Sequence, residues 1–558
     1  MIRWFPVVMV FVVLLSGCGS KKKHSGEGKS IFRYNEASGI TSLDPAFAKG
    51  QADIWACNQL YNGLVQMNDA LEVIPCIAEK WEISEDGKEY TFHLRNDVWF
   101  HKDGVIENGS SRIVTAVDFV YSFNRILDPL TASPGAWVFN AVAVDSLTGK
   151  PAFEALDKTT LKIKLKEAFP PFLGILTSLY CSVIPHEVLE AYGKDFRKHP
   201  VGTGPFKFKL WEDRTNLIFL KNENYFETEN GNKLPYFDAV SISFINDRQA
   251  AFLEFVKGNL DFLSGIDASY KDELLTRTGS LREKYRERFK METCQYLNTE
   301  YLGFLVDTAQ TALKNNPVAD VRIRKAINYG FDRKRMMTYL RNGIGTPGIY
   351  GMVPPGLPSF DSVSVKGYEY NPAMTAQLLK EAGYPRGKGL PEIVMSTTKE
   401  YQDLCEFMQG QLAESGIRIK LEVNQGAAHR EMVAKQKLTF FRASWIADYP
   451  DAESYLSLFY SPNFAPVGPN YTHYKSKAFD ALYIAAGATI IDSVRYSNYR
   501  EMDRLIIADA PVVVLFYDQV VRLVQNNVEG LGKNAMNLLS IKKARIVTSG
   551  ELRVTSKK

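Results

Sequence analysis

The sequence predicts a mixed α/β (α+β) protein with more than one lobe. Its 558 residues suffice for about two to four structural units, and 45% of them are hydrophobic, which is typical of a globular chain. Segments with alternating apolar and polar residues occur beside segments with helical spacing, in irregular order and without internal repeats. The clearest predicted strands are residues 90–95, 161–166 and 417–423.

Three helices have recognisable N-terminal signals. Thr115 and Asp118 have the spacing of a capping box ahead of an apolar run. Asn371, followed by proline, predicts the start of a helix that Gly383 ends. Asp320 precedes apolar residues at i, i+3, i+4, i+7 and i+8, which predicts an amphipathic helix.

The N-terminus has the features of an export signal. Residues 1–17 contain one positive charge and an apolar run too short to span a bilayer comfortably. The letters LSGC that end at Cys18 resemble the lipobox of bacterial lipoproteins, which implies cleavage before Cys18 and acylation of that residue. Residues 18–30 would then form a flexible tether. The alternative is a plain transmembrane anchor.

Composition excludes several classes of function. A net charge of +4 is too small to indicate nucleic-acid binding. Besides Cys18 there are five cysteines without a CxxC spacing, so at least one is unpaired in the monomer, and a Cys57–Cys76 bridge stays possible. The histidines form no HExxH motif, and no GxSxG motif occurs. We therefore predict no metal site, no cofactor and no enzymatic activity.

Residues 441–456, with the sequence FRASWIADYPDAESYL, combine charged and aromatic side chains in an unusual way. Arg442 could bind a carboxylate and Asp448 an ammonium group, so the two could hold both ends of a zwitterion. Trp445 and Tyr449 are large aromatics in the same stretch. Strict strand alternation would turn Trp445 away from Asp448 unless the segment curls. The alternative is an Arg442–Asp448 surface ion pair beside core aromatics.

This stretch resembles the W-x-x-D-Y-P-D signature of bacterial solute-binding protein family 5, the extracytoplasmic receptors of peptide ABC importers. Further blocks resemble the family in the same order along the chain. They are SLDP at 42–45 with LYNGL at 60–64, TAVDFVYSFNR at 115–125 with LDPLTASP at 127–134, GTGPF at 202–206, VRIRKAINYGFDR at 321–333 and LLKEAGYP at 378–385.

The resemblance implies a two-lobed periplasmic-binding-protein-like fold (class II type) with an extra domain on the first lobe. The implied first lobe is assembled from residues 31–66, 183–290 and 513–545, the extra domain spans 67–182, and the second lobe spans 291–512. Two crossovers near residues 290 and 512 would form the hinge. The implied protein is a monomeric receptor outside the cytoplasm, held by acylated Cys18 to a lipid bilayer, with permease and ATPase subunits as partners.

The resemblance also implies roles for individual residues. Asp448 matches the aspartate that takes the α-ammonium of a short peptide, and Arg442 matches an arginine that can take its C-terminal carboxylate. Main chain at Ser444, Trp445 and Ile446 would pair with the ligand as an added strand.

The remaining implied site residues lie on the first lobe and the extra domain. A loop at Gly50 and Gln51 would supply a facing strand edge, and Trp137 would lie near the cleft. Members of the family also bind nickel complexes, haem, opines and sugars, so the fold leaves the ligand open. An exported peptidase is the further alternative.

Overall fold

A computed structural model describes residues 29–106, 109–146, 148–267 and 269–547. The predicted signal, most of the predicted tether and Cys18 lie outside the described residues.

A sheet of eleven strands organises the described chain. Ten strands follow in the order β17-β16-β18-β14-β19-β13-β1-β12-β9-β8, and β15 pairs with β19. Their bounds are β1 Ile31–Asn35, β8 Phe206–Glu212, β9 Asn216–Lys221, β12 Ala239–Ser243, β13 Phe262–Ser264, β14 Phe289–Phe304, β15 Thr346–Pro347, β16 Ile393–Thr398, β17 Ile419–Asn424, β18 Phe440–Ile446 and β19 Val512–Gln525.

The two longest strands, β14 and β19, join the two halves of this sheet. They pair antiparallel over most of their length, with a register irregularity between Gln295 and Thr299. β19 also pairs with β13 on the first-lobe side, whereas β14 pairs with β18 on the second-lobe side. The chain thus passes from one half to the other through β14 and returns through β19. The lobe boundaries given above stay a prediction.

A separate four-stranded antiparallel sheet has the order β4-β5-β7-β6. Smaller two-stranded pairs are β2 with β3, β10 with β11 and β20 with β21. The bounds are β2 Val65–Met67, β3 Val73–Pro75, β4 Ala78–Ile83, β5 Glu89–Leu94, β6 Phe153–Ala155, β7 Thr160–Lys164, β10 Thr228–Glu229, β11 Asn232–Lys233, β20 Val528–Glu529 and β21 Arg545–Ile546.

Fifteen α-helices occur among the described residues. They are α1 Gln51–Cys57, α2 Ala116–Leu127, α3 Phe172–Ile175, α4 His186–Tyr192, α5 Arg248–Val256, α6 Lys271–Leu274, α7 Glu283–Arg286, α8 Val321–Tyr329, α9 Arg333–Leu340, α10 Pro372–Glu381, α11 Gln402–Glu414, α12 Gly426–Ala434, α13 Glu453–Leu456, α14 Lys477–Gly487 and α15 Asp492–Asp509.

The three predicted helix starts are confirmed. Thr115 and Asp118 form the capping box of α2. The side chains of Asp320 and Asn371 accept hydrogen bonds from main-chain N–H groups at the starts of α8 and α10. Gly383 follows α10 with a φ of 91°, a conformation that glycine adopts without strain. The predicted strands appear as β5, β7 and β17.

Buried apolar residues form one large cluster that runs from β1 into the four-stranded sheet, so the predicted extra domain shares a core with the first lobe. Two other clusters line the opposite faces of β14, β18 and β19. The cysteines of the described residues are free, and Cys57 and Cys76 are both buried thiols. The bridge between them that spacing left open is therefore not formed.

Candidate functional site

One edge of β18 is open. β18 pairs with β14 along its whole length, whereas β16 meets it only at Phe441. Ala447 donates its N–H to the carbonyl of Leu297, on the β14 side, and successive residues of a strand direct their main-chain groups to opposite edges. The main chain of Ser444 and Ile446 therefore points to the edge that no described strand occupies.

The chain curls directly after this edge. The indole N–H of Trp445 and the main-chain N–H of Asp448 both donate to Oγ of Ser454, at 3.2 and 3.3 Å. Trp445 is half-buried and packs against the core beneath α13 and α15. Trp445 and Asp448 could come together only if the segment curls, and the structure has this curl. Both residues donate to the same Ser454 oxygen, which holds the loop that carries Asp448.

Asp448 has an uncompensated carboxylate. Within the described ranges, no cation and no hydrogen-bond donor contacts it. The carboxylate is accessible to water but recessed between protein walls, and this partial desolvation raises its pKa to about 6. A recessed carboxylate without a partner suits a cationic group of a ligand.

Tyr180, in the predicted extra domain, and the start of α1, in the predicted first lobe, are two further parts of the candidate site. Burial, and to a smaller extent the carboxylates of Asp448 and Asp53, raise the pKa of Tyr180. Gly50 is extended and exposed immediately before α1, and exposed Gln51 is the first helical residue. An extended main-chain edge on this side is therefore available at Gly50, whereas the main chain of Gln51 is helical.

Trp137 contacts the motif from the other side. Its ring centroid lies 6.1 Å from that of Tyr449. Tyr449 is buried, and its hydroxyl donates to Glu453, which also accepts from Tyr483. Tyr449 therefore packs between the predicted extra domain and the second lobe. Trp137, its neighbour in this contact, is half-exposed.

Arg442 is already paired. Its guanidinium donates to Glu300 at 2.5 Å, and the two side chains are only 14% and 5% exposed. The guanidinium carbon lies 3.3 Å from the centroid of the Tyr401 ring. The alternative Arg442–Asp448 surface pair is therefore not formed. A ligand-binding role for Arg442 stays a prediction.

Several residues of this site were not found from the sequence. Glu300 and Tyr401 lie 142 and 41 positions before Arg442, and Tyr180 lies 268 positions before Asp448, all in segments without a motif. Glu453 lies two residues after the DYPD motif, so an acid this close to it could have been found from the sequence. In the part of the chain that the structure describes, no group of three or more His, Cys, Asp or Glu side chains could hold a metal ion.

A family model described as "Bacterial extracellular solute-binding proteins, family 5 Middle" matches residues 72–466. The chain belongs to this family. It is 26% identical to a glutathione-binding protein of Shigella flexneri serotype 5b, covering 88% of this chain and 90% of that protein. It is 25% identical to the dipeptide-binding protein of Escherichia coli strain K12, with 93% and 95% covered, and 27% identical to heme-binding protein A of Haemophilus influenzae, with 89% of each covered.

Solved structures agree with this assignment. A periplasmic binding protein of Helicobacter pylori associated with an ABC transporter, in complex with the peptide STSA, aligns with a TM-score of 0.74 and 25% identity over 93% of this chain and 99% of that chain. HbpA2 of Haemophilus parasuis aligns with a TM-score of 0.79 and 22% identity over 93% of this chain and 100% of that chain. The predicted two-lobed fold is confirmed.

The family membership confirms that the chain is a solute-binding receptor of an ABC importer and not an enzyme. No helix among the residues described by the structure is long and apolar enough to cross a membrane.

Proposed function

We propose that this receptor captures short peptides between its lobes, as a monomer, and that Asp448 binds their α-ammonium group. The observation that carries the proposal is the recessed carboxylate of Asp448, which lacks a partner within the described chain and is partly desolvated. An ammonium group supplies the missing charge and three hydrogen-bond donors. The names of the E. coli dipeptide-binding protein and the STSA complex support a peptide ligand.

The open edge of β18 supports the same class of ligand. An extended peptide that pairs with the main chain of Ser444 and Ile446 would be bound largely through its own main chain. Such pairing makes affinity tolerant of side-chain identity. We expect Gly50 to face this added strand from the first lobe and Trp137 to border it.

Calorimetry of Asp448→Asn with free and N-acetylated tripeptides tests the proposal. Asparagine keeps the size of the side chain and deletes its charge, so we expect a loss of about 2–5 kcal/mol in binding free energy. Glu431→Gln, an exposed carboxylate on α12, is the control and should bind like wild type. Equal binding of acetylated and free peptides to wild type would exclude this role for Asp448. Glutathione and haem belong in the same screen because relatives are named for binding them.

We also propose that acylated Cys18 anchors the receptor to the bilayer beside its permease and ATPase subunits. The lipobox that ends at Cys18 supports this. Cys18→Ala should move the protein from the membrane fraction to the soluble fraction or leave it unprocessed, whereas Cys294→Ala should fractionate like wild type. Unchanged fractionation and acylation of Cys18→Ala would contradict the proposal.

A further inference from the structure

The turn between β4 and β5 meets the loop between α14 and α15. A Cβ built on Gly87, in that turn, would lie 3.2 Å from Cβ of Ala168 and 3.2 Å from Cγ2 of Ile490. Ala168 follows β7 of the same four-stranded sheet, so it belongs with Gly87 to the predicted extra domain. Ile490 directly precedes Ile491 and α15, a helix whose buried side chains pack in the core around β14 and β19. The contact therefore joins the predicted extra domain to the second lobe.

Two further contacts join the same two parts at the loop that carries Asp448. A Cβ built on Gly174, in α3, would lie 3.7 Å from Cδ of Pro450. The rings of Trp137 and Tyr449 lie 6.1 Å apart, centroid to centroid. Tyr449 and Pro450 directly follow Asp448 in the chain. The predicted extra domain therefore covers the Asp448 loop at one end of this interface and contacts the α14–α15 loop at the other.

The interface is small and apolar at its distal end. Ile490 is still 57% exposed, so it buries less than half of its side chain against the turn of Gly87. Between the described residues of 67–182 and those of 291–512 there is no salt bridge. A small apolar contact without a charge pair separates at modest cost, because little surface returns to water. This contact can therefore open and close again.

The connection between the two halves of the large sheet permits such opening. β14 and β19 join the halves, and their regular pairing is interrupted between Gln295 and Thr299. An interrupted ladder bends more easily than a regular one, since fewer main-chain hydrogen bonds hold it. Bending there would move the second lobe, together with Ile490, away from Gly87.

We propose, building on the peptide-binding function proposed above, that the contact of Ile490 with Gly87 and Ala168 is a latch that slows the release of bound peptide. The latch holds the predicted extra domain against the second lobe while that domain covers the Asp448 loop. Ile490 lies outside the candidate site, so it acts on the ligand through the equilibrium between open and closed forms. A ligand that binds the closed form is retained longer when that form is more stable.

The first test measures the dissociation of a fluorescently labelled tripeptide by stopped-flow chase with unlabelled trialanine. Ile490→Ser removes the apolar contact, so the peptide should dissociate about fivefold faster than from wild type, which corresponds to about 1 kcal/mol. Ile484→Ser is the matched control, because Ile484 is 60% exposed on the neighbouring helix α14. This control should release peptide at the wild-type rate. Equal rates in wild type and Ile490→Ser would overturn the latch.

The second test locks the latch with the double variant Gly87→Cys/Ile490→Cys. The Cβ at position 87 would lie 3.2 Å from Cγ2 of Ile490, so the two Cβ atoms would be at most about 4.7 Å apart, given a C–C bond of about 1.5 Å. A disulfide can bridge this separation. Copper–phenanthroline oxidation should form the bridge, which peptide mapping detects, and the described native cysteines are buried or half-buried.

Oxidised double variant that was loaded with peptide should retain it at least about tenfold longer than the reduced form, and dithiothreitol should restore release. Gly87→Cys alone controls for strain, because Gly87 has a φ of 68°. If no bridge forms in double variant that melts like wild type, the contact is absent and the latch is wrong. If the bridge forms and release is unchanged, the latch is wrong while the peptide function stands. If trialanine, glutathione and haem all fail to bind wild type, both proposals are wrong.

Discussion

Asp448 should make peptide binding depend on pH in the mildly acidic range. Its carboxyl has a pKa of about 6 in the empty cleft, well above the ordinary value of 3.8. An ammonium group favours the ionised form, so a bound peptide lowers this pKa again. Below pH 6, binding must therefore release a proton from Asp448, and affinity must fall as the pH falls.

The size of the effect follows from the fraction of protonated Asp448. At pH 7.0 about one tenth of the empty receptor is protonated, and at pH 5.0 about nine tenths is, so affinity should fall about tenfold between the two. The α-amine of the peptide stays mostly charged over this range, since its ordinary pKa is about 7.7–8.0. Calorimetry at pH 5.0 in buffers of different ionisation enthalpy should show about 0.9 proton released per peptide bound.

Titration of Glu36 is a competing explanation for a change of peptide affinity with pH. Burial and the carboxylate of Asp53 raise its pKa to about 7, so it also takes up a proton between pH 8 and 6. Asp448→Asn separates the two contributions, because Glu36 still titrates in this variant and residue 448 does not. A wild-type affinity that does not change between pH 7.0 and 5.0, or a tenfold change that persists in Asp448→Asn, would refute the assignment to Asp448.

Two further predictions concern stability. In Gly204→Ala the new Cβ would lie 2.4 Å from a main-chain atom of the segment that follows α1, so we expect this variant to be destabilised by about 3 kcal/mol. Gly410 lies in the exposed middle of α11, and a Cβ added there would have no atom within 4 Å. Gly410→Ala should therefore stabilise the protein by about 1 kcal/mol in the same urea titration. Similar urea midpoints would contradict this. Arg495 is 8% exposed and binds both Asp451, which is 11% exposed, and Asp492, which is 63% exposed. Asp451→Asn should therefore destabilise by about 3–5 kcal/mol and Asp492→Asn by less than about 1 kcal/mol, and equal losses would show that burial does not decide the strength of this pair.

Local features of the fold were accessible from the sequence because their causes are local. The caps of α2, α8 and α10 need only a polar side chain within three residues of a helix start, and the structure contains all three. The joining of both halves through β14 and β19 was not accessible in this way. Its cause is pairing between residues more than 200 positions apart, which a single sequence does not display.

The same distinction between local and distant causes applies to the residues of the candidate site. The motif identified Asp448 and placed Trp445 beside it, and the curl that unites them depends on Ser454, only six residues further on. The state of Arg442 was inaccessible because its partner Glu300 lies 142 residues away, inside a strand with no distinguishing pattern. A motif can therefore show which charges are present without showing which of them are free.

Whether a charged side chain is free or already paired decides which ligands the site can select. Two free opposite charges at a fixed separation would require ligands of one length, because both ends must reach their partners at once. In this chain the free charge is at Asp448, whereas Arg442 is compensated by Glu300. The open edge of β18 binds main chain at any position along an extended peptide. Affinity should therefore depend on the presence of the amine far more than on the ligand's length or side chains.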